Sequence, residues 1–511
     1  IYQSTIKNCI FTENVATLNG GAIYIYPNPT DNKIDACTIS NCTFNANSAN
    51  TNGHAISLDA RASDTSYHLI EYCTFKNNCK ESSVETEGII TLGDSKASFS
   101  NLNFIFDESA KNLQPFVYLN QPFSATSVVF ENVHSDNDKL LVFGNTYTSV
   151  TLQSCSFINC TNKNSFLFSL TGVSLTISDT TIKYPKDDDQ KIKGAFSYTD
   201  SATSSCSISN SNFVNIDVFS CSLPAQSTIQ YCTFDNSCFN ITHTSSITFM
   251  HNIIQNNVNL NRYSIILESQ GTVTETLENI TFRNNQCNFL YGGGIGLYIK
   301  KAGSIIFTDC KFIGNKAIQN TLIKRPSQYE EYPYYNGDGG AFQIGYSCDN
   351  KDATVKFERC TFSDNEAYRH GGALAIQTLR TVDIISCTFE RNFVSNYLSS
   401  SLLYNDNYHH KVEGRGGAIY INPSYNLESL GCSSIINQQM SNVNINGCTF
   451  ISNKAYDGYA IYIEGESEQT VFQITSNTFT DNFDKTTLYR NSSIITSEIC
   501  TTSIKDILNN D

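Results

Sequence analysis

The chain has 511 residues, with 33 basic against 48 acidic side chains and a net charge of −15. No Lys/Arg-rich stripe stands out, which argues against nucleic acid and anionic membrane surfaces as partners, and no apolar run approaches the roughly 20 residues needed to cross a bilayer. A single compact core stops growing near roughly 250–300 residues, so a chain of this length is either several domains or a repeat array that lengthens its core instead of thickening it.

Taken in order, the elements describe an array. Cys9 and Phe11 are followed by Asn14 and then by Gly20, Gly21, Ala22, Ile23, Tyr24 and Ile25. Ile23 and Ile25 share one parity and Tyr24 has the other, the period-two pattern of a strand with one buried face. The parity recurs at Ile56 and Leu58, Ile90 and Leu92, and Val117 and Leu119. From 100 to 270 the aromatic or an aliphatic substitute persists (Phe104, Phe130, Phe157, Ile182, Phe213, Phe234, Ile254), but most Gly-Gly pairs are gone. From 279 to 485 the unit is plain again, at Cys310 and Phe312, Cys360 and Phe362, Cys387 and Phe389, and Cys448 and Phe450. The chain starts at Ile1 inside a repeat, without an initiator Met or a signal-like segment, and reads as a piece of a longer polypeptide.

Each slot has a physical reading. The Gly-Gly pairs, as at Gly371-Gly372, suit a corner needing positive φ and close backbone approach. Asn at the third position after Phe (Asn14, Asn47, Asn78, Asn285, Asn315, Asn365, Asn392, Asn453, Asn482) suits a turn in the left-handed region and a ladder of stacked amides. Strand parity slips between Phe357 and Cys360, so the chain must bend there to keep both stretches facing inward. Nineteen cysteines are present, most of them two residues before the aromatic. They read as a stack of small buried thiols; disulfides between neighbouring repeats are the alternative, with Cys73 and Cys79, Cys155 and Cys160, and Cys232 and Cys238 as further pairs. Sequons at Asn41, Asn159, Asn240, Asn279 and Asn491 are glycosylation candidates and fit a secreted chain.

These features predict an all-β fold, a right-handed parallel β-helix (solenoid) of about 16 rungs without a transmembrane barrel, running as one array over residues 1–511. Residues 1–95 and 279–485 hold clear repeats and 100–270 degenerate ones. The alternation of Phe-x-x-Asn with Gly-Gly-Ala-Ile, the triplet standing at Gly20, Gly339, Gly371 and Gly416, resembles the repeats of the chlamydial polymorphic outer membrane proteins and the related Pmp-like surface proteins of protists such as trichomonads. The resemblance implies cell-surface display and adhesion. Bacterial members end in a membrane barrel, and nothing after Thr478 has the length or alternation of one.

Chemistry is sparse. The consecutive Asp187, Asp188 and Asp189, flanked by Lys186 and Lys191, read as a solvated loop tip, and Asp338 before Gly339-Gly340 resembles a calcium turn without the Gly/Asp repeat that would make it one. His409 and His410 are adjacent surface residues, not metal ligands, and no cofactor is implied. Two insertions, 318–338 and 393–415, leave the array at the same slot, one repeat apart, so their bases should lie about 10 Å apart on one edge. They carry Tyr332, Tyr334 and Tyr335, and Tyr404, Tyr408, His409 and His410, an aromatic content suited to binding a partner or to covering the side of the array.

The reading is a non-enzymatic, extracellular or cell-surface rod for adhesion or surface-layer binding, with other surface or matrix proteins or glycans as partners. A polysaccharide-degrading β-helix enzyme is one alternative. A structural component that self-associates end to end or laterally, through unpaired rung edges, is another.

Overall fold

The computed structural model describes residues 4–26, 36–51, 53–60, 67–78, 88–93, 96–106, 117–119, 123–135, 141–144, 149–162, 168–171, 173–184, 196–199, 205–216, 219–225, 227–237, 239–243, 245–259, 265–269, 274–287, 296–299, 303–318, 337–344, 353–377, 380–395, 414–422, 442–455, 458–463, 470–482 and 488–490. Among these residues every regular element is a strand, and no helix is long and apolar enough to cross a membrane. The chain divides into two compact units, Ile1–Ser237 and Cys238–Asp511.

Within each unit, successive repeats lay their strands parallel and in register, which is the pairing pattern of a solenoid. In the first unit Phe11 pairs with Phe44, Phe44 with Phe75, Phe75 with Phe104, and the column continues through Phe130, Phe157, Ile182 and Phe213 to Phe234. In the second, Ile254, Phe282, Phe312, Phe362, Phe389, Phe450 and Phe479 form the same column. Membrane barrels pair their strands antiparallel. All the pairings between described strands are parallel, so neither unit has barrel construction there.

The repeat at Thr354–Gln377 shows how the residues build one circuit. Val355 and Phe357 point inward from the strand Thr354–Glu358. Arg359 then takes φ 52, which absorbs the expected parity slip and returns Cys360 and Phe362 to the interior. A second left-handed residue, Asp364 at φ 56, precedes Asn365. The left-handed residue is thus not the ladder Asn, as its turn propensity suggested, but the one before it. That residue faces outward and carries the bend, which frees the Asn side chain to point inward.

The corner follows. Gly371 has φ 64, and a Cβ on Gly372 would collide with the Gly417 carbonyl oxygen of the next repeat and lie 2.6 Å from the Phe393 nitrogen. The first glycine is needed for conformation and the second for clearance. Beyond the corner, Leu374 and Ile376 enter the core with no exposure.

Three columns hold the interior. Phenylalanine rings stack at centroid separations of 4.6 Å for Phe312–Phe362 and 4.7 Å for Phe362–Phe389, the strand spacing itself. Asparagines form the expected ladder: the backbone and side-chain nitrogens of Asn315 both donate to Asn365 Oδ1 at 3.0 Å, and Asn365 Nδ2 donates to the Phe312 carbonyl at 2.9 Å. The same bonding runs through Asn257, Asn285, Asn315, Asn365, Asn392, Asn453 and Asn482, and separately through Asn14, Asn47 and Asn78.

The cysteines form the third column, and they do more than fill space. Cys360 N–H donates to Cys387 Sγ at 3.4 Å, and Cys387 N–H to Cys448 Sγ at 3.4 Å. Each thiol in turn donates to carbonyls, as Cys360 does to Phe307 and Glu358 at 3.4 Å. Asn477 continues the pattern, accepting from Cys448 N–H at 2.7 Å. The slot is therefore a second, softer ladder at the other bend. The cysteines whose side chains are described, Cys155 and Cys160 among them, are free thiols, and burial pushes Cys73 up to about 12 and Cys155 up to about 11, so neither is a nucleophilic thiolate. Cys79 and Cys238 lie outside the described residues.

Candidate functional site

The two insertions leave and rejoin the second unit at matching positions. Ala317 pairs with Ala367 and Ala367 with Val394, so the departure points are separated by one repeat, and the second insertion leaves beyond the strand Phe393–Val394, not at 393 as the sequence suggested, because those two residues still pair with the preceding repeat. On the return side, Gly339 N–H donates to the His370 carbonyl at 2.8 Å, and Gly371 N–H to the Arg415 carbonyl at 2.9 Å. Asp338, His370 and Arg415, the residues immediately before each Gly-Gly pair, therefore stand in consecutive repeats, as the spacing of the insertions predicted. Tyr332, Tyr334, Tyr335, Tyr404, Tyr408, His409 and His410 lie outside the described residues, as do Asp187, Asp188, Asp189 and Asn491.

The corner column carries a compact set of planar and charged side chains. Arg369 grips Asp338 with two hydrogen bonds, Nε to Oδ1 at 2.8 Å and Nη2 to Oδ2, and Asp338 has no exposure. The carboxylate that resembled a calcium turn is instead the partner of an arginine fork, the geometry in which such pairs are strongest. His370 stacks on Tyr420 at 4.4 Å, and the Arg415 guanidinium lies 4.9 Å from the centre of the Tyr462 ring. Burial, reinforced by the charges of Arg369 and Arg415, holds the His370 imidazole well below its ordinary value and keeps it neutral.

Tyr420 and Tyr462 occupy the outward slot of the strand after the corner, the slot of Tyr24 in the first repeat. Tyr24 is 42% exposed, but Tyr420 is 3% and Tyr462 1% exposed. Outward parity therefore does not mean solvent here: at the base of the insertions this face is covered, and His370 and Arg415 are part of the cover. The sequence pattern does not single out Arg369, His370, Arg415, Tyr420 or Tyr462. The signal that finds them is positional, since they flank or follow the Gly-Gly-Ala triplet in the repeats that carry insertions.

Chemically the cluster can hold and orient. Its carboxylate is bound by Arg369 and its imidazole is a poor base. Two acidic side chains on the outer bends are ion-paired: Arg359 grips Asp309 through two bonds of 2.9 Å, and Arg391 grips Asp364 at 2.7 and 2.8 Å. Hydrogen bonding to Arg359 holds Asp309 below its ordinary value. Among the described residues no group of three His, Cys, Asp or Glu is placed to hold a metal ion.

Of the sequons, Asn41 and Asn279 are exposed at left-handed bends, and Asn159 is half-buried at another. Asn41 Nδ2 already donates to Asn8 Oδ1 at 2.7 Å, and Asn159 Nδ2 to Asn132 Oδ1 at 2.7 Å. Asn240 lies in the strand Phe239–His243.

Residues 8–26 match the family model for the Chlamydia polymorphic membrane protein (Chlamydia_PMP) repeat. The match spans Cys9, Phe11, Asn14 and the Gly20–Ile25 corner, the same unit that recurs along both halves of the chain. No curated protein matches the chain.

Proposed function

We propose that this Pmp-like repeat protein is displayed at a cell surface or outside the cell as a non-enzymatic adhesive module, built as one right-handed parallel β-helix of about 16 rungs. The observation that carries the reading is the corner column: the described ends of insertions 318–338 and 393–415 stand in neighbouring repeats, where Asp338, Arg369, His370 and Arg415 are ion-paired and ring-stacked. Anchoring two tyrosine-rich segments at such a cluster suits the presentation of a contact surface, because holding contact residues in place reduces the ordering cost of binding. The family's surface association supports the location, and surface or matrix proteins and glycans are the proposed partners. Exposed sequons at Asn41 and Asn279 are compatible with glycosylation in a secretory pathway.

The test replaces Tyr334, Tyr335, Tyr404 and Tyr408 together with Ser and measures cell or glycan-array attachment alongside the urea unfolding midpoint. Attachment should be lost with the midpoint unchanged. A lowered midpoint with attachment retained would make the insertions a cover for the helix and not a binding face. Incubation with polyuronic and neutral glycans should produce no new reducing or unsaturated ends.

A further inference from the structure

The corner column of the second unit holds an imidazole that packs as a ring and pairs as nothing. His370 stands immediately before the Gly371-Gly372 corner, follows Arg369 in its own repeat and forms a parallel bridge with Arg415 of the next. Its ring lies flat on Tyr420, with 4.4 Å between centroids and 12° between planes, and the residue is 9% exposed. Its Nδ1 is buried and meets no hydrogen-bond partner among the described residues. A neutral ring suits this place, because stacking asks nothing of its nitrogens.

A protonated ring does not suit it. The charged and titratable side chains around His370, among the described residues, are Tyr368 and Arg369 on its own segment, Asp338 from the repeat before, and Arg415 and Tyr420 from the repeat after. Asp338 is the one carboxylate, and the Arg369 fork already takes both of its oxygens. A proton on His370 would add a third positive charge beside two guanidiniums, with an Nδ1–H that finds no acceptor. Attraction to the Tyr420 face is weaker than the cost of an unpaired buried charge. The bonds exposed to this repulsion join the two repeats at the corner: Gly371 N–H donates to the Arg415 carbonyl at 2.9 Å, and the Ala373 and Leu374 N–H groups both donate to the Ala418 carbonyl at 2.9 Å.

We propose that this corner is an acid-labile joint: protonation of His370 loosens the contact between its repeat and that of Arg415, so that attachment is held at neutral pH and released in mild acid. The loosening stands on the arrangement of the corner; the release rests on the adhesive reading above. Burial, with the charges of Arg369 and Arg415, holds the closed imidazole well below its ordinary 6.5. Below 6.5 the open corner therefore binds a proton that the closed corner does not, and closure loses stability as pH falls. Above 6.5 neither state binds it, and the slope vanishes.

The experiment measures hydrogen exchange of peptides covering 368–376 and 414–422 in the full chain between pH 7.5 and 4.5, corrected for intrinsic rates. Peptide 442–451 of the same unit, which carries no acidic or histidine side chain, is the internal reference. Opening of the corner relative to the reference should be flat above pH 6.5 and rise by up to about tenfold per unit below it. His370→Phe keeps a ring on Tyr420 and gives up no hydrogen bond at Nδ1, so its corner should show no acid acceleration. Attachment to cells or a glycan array should fall between pH 7.5 and 5.5 for the wild type and hold for His370→Phe. A corner that follows the reference at every pH, or acid acceleration that persists in His370→Phe, would overturn the proposal. If the variant does not fold, the wild-type profile still decides, because an onset in the ordinary carboxylate range and not near 6.5 would assign the response to Asp338. Attachment absent at both pH values would sink the adhesive reading and the release with it, while the exchange profile decides the joint.

Discussion

Between residues 257 and 482 the position after the second bend of each repeat is Asn, whereas between 123 and 237 the same position holds Val133, Cys160, Pro185, Ile216 and Ser237. Those described are buried, apart from the half-buried Asn482, but only the Asn side chain combines an acceptor for the preceding repeat with two donors, one for each neighbour. Ser237 keeps part of the pattern, accepting from Ile216 N–H at 3.1 Å and donating to the Phe213 carbonyl at 3.0 Å. Val133 and Ile216 have no side-chain polar atom, so the ladder is interrupted there. The ring stack changes alongside: Phe312–Phe362 and Phe362–Phe389 are tilted by 3°, but Phe104–Phe130 by 15° and Phe130–Phe157 by 18°. The tilt does not follow the ladder throughout, since Phe282–Phe312 is tilted by 11° within it and Phe213–Phe234 by only 8° beside Ile216.

The sharpest way to break the well-ordered region is at its corner. Gly372→Ala puts a methyl group against the backbone of the next repeat, which cannot yield without opening the ladder on both sides, so a loss above about 4 kcal/mol is expected. Its second unit should show no cooperative urea transition. Next comes the ladder itself. Asn365→Ala removes the acceptor of two Asn315 donors and the donor to the Phe312 carbonyl, all in the interior, with an expected loss of about 3–5 kcal/mol from groups left unsatisfied. Val133→Ala removes only buried carbon and should cost about 2 kcal/mol. Equal shifts of the urea midpoints would show that the amide ladder specifies register without adding stability.

Much of this was legible because periodicity reports columns. The sixteen aromatic or aliphatic positions, the inward aliphatics after the corner and the stacked amides all follow from residues recurring at one slot. The bend at Arg359 was legible as well, from the parity slip it repairs. The left-handed residue itself was not, because it faces outward and is not confined to one residue type: Glu13, Ala46, Asp364, Arg391 and Ser452 all serve. Nor was the hydrogen-bonding role of the thiols, since a buried Cys in sequence is indistinguishable from a small hydrophobe. That role predicts a graded response at Cys387. Ser, which resembles Ser211 accepting from Thr180 N–H at 3.2 Å, should cost about 1 kcal/mol, and Ala, which strands the Cys360 N–H, about 2 kcal/mol. Urea midpoints of the two variants check the order. The corner cluster was out of reach for a different reason, being set by which repeats carry insertions and not by any repeated residue.

The smallest expected effect tests whether those outward bends depend on conformation or on charge. Arg391 is at φ 52 and holds Asp364 and Glu390, but its side chain is 52% exposed and Asp364 46% exposed, so solvent screens the pairs. Replacing it with Asn removes the ion pairs, a loss of no more than about 1 kcal/mol, and relieves a left-handed conformation that disfavours most L-residues by roughly 1–2 kcal/mol but suits Asn better. The two changes oppose each other, and Arg391→Asn should melt within about 0.5 kcal/mol of wild type in low salt and be neutral or slightly stabilising in high salt, where screening has already weakened the pair. Arg391→Val keeps the loss and adds a β-branched clash, so it should be clearly worse in both. If Asn and Val are equally destabilising in low salt and equally harmless in high salt, charge and not backbone conformation governs these bends, and the freedom of residue choice at them would need another explanation.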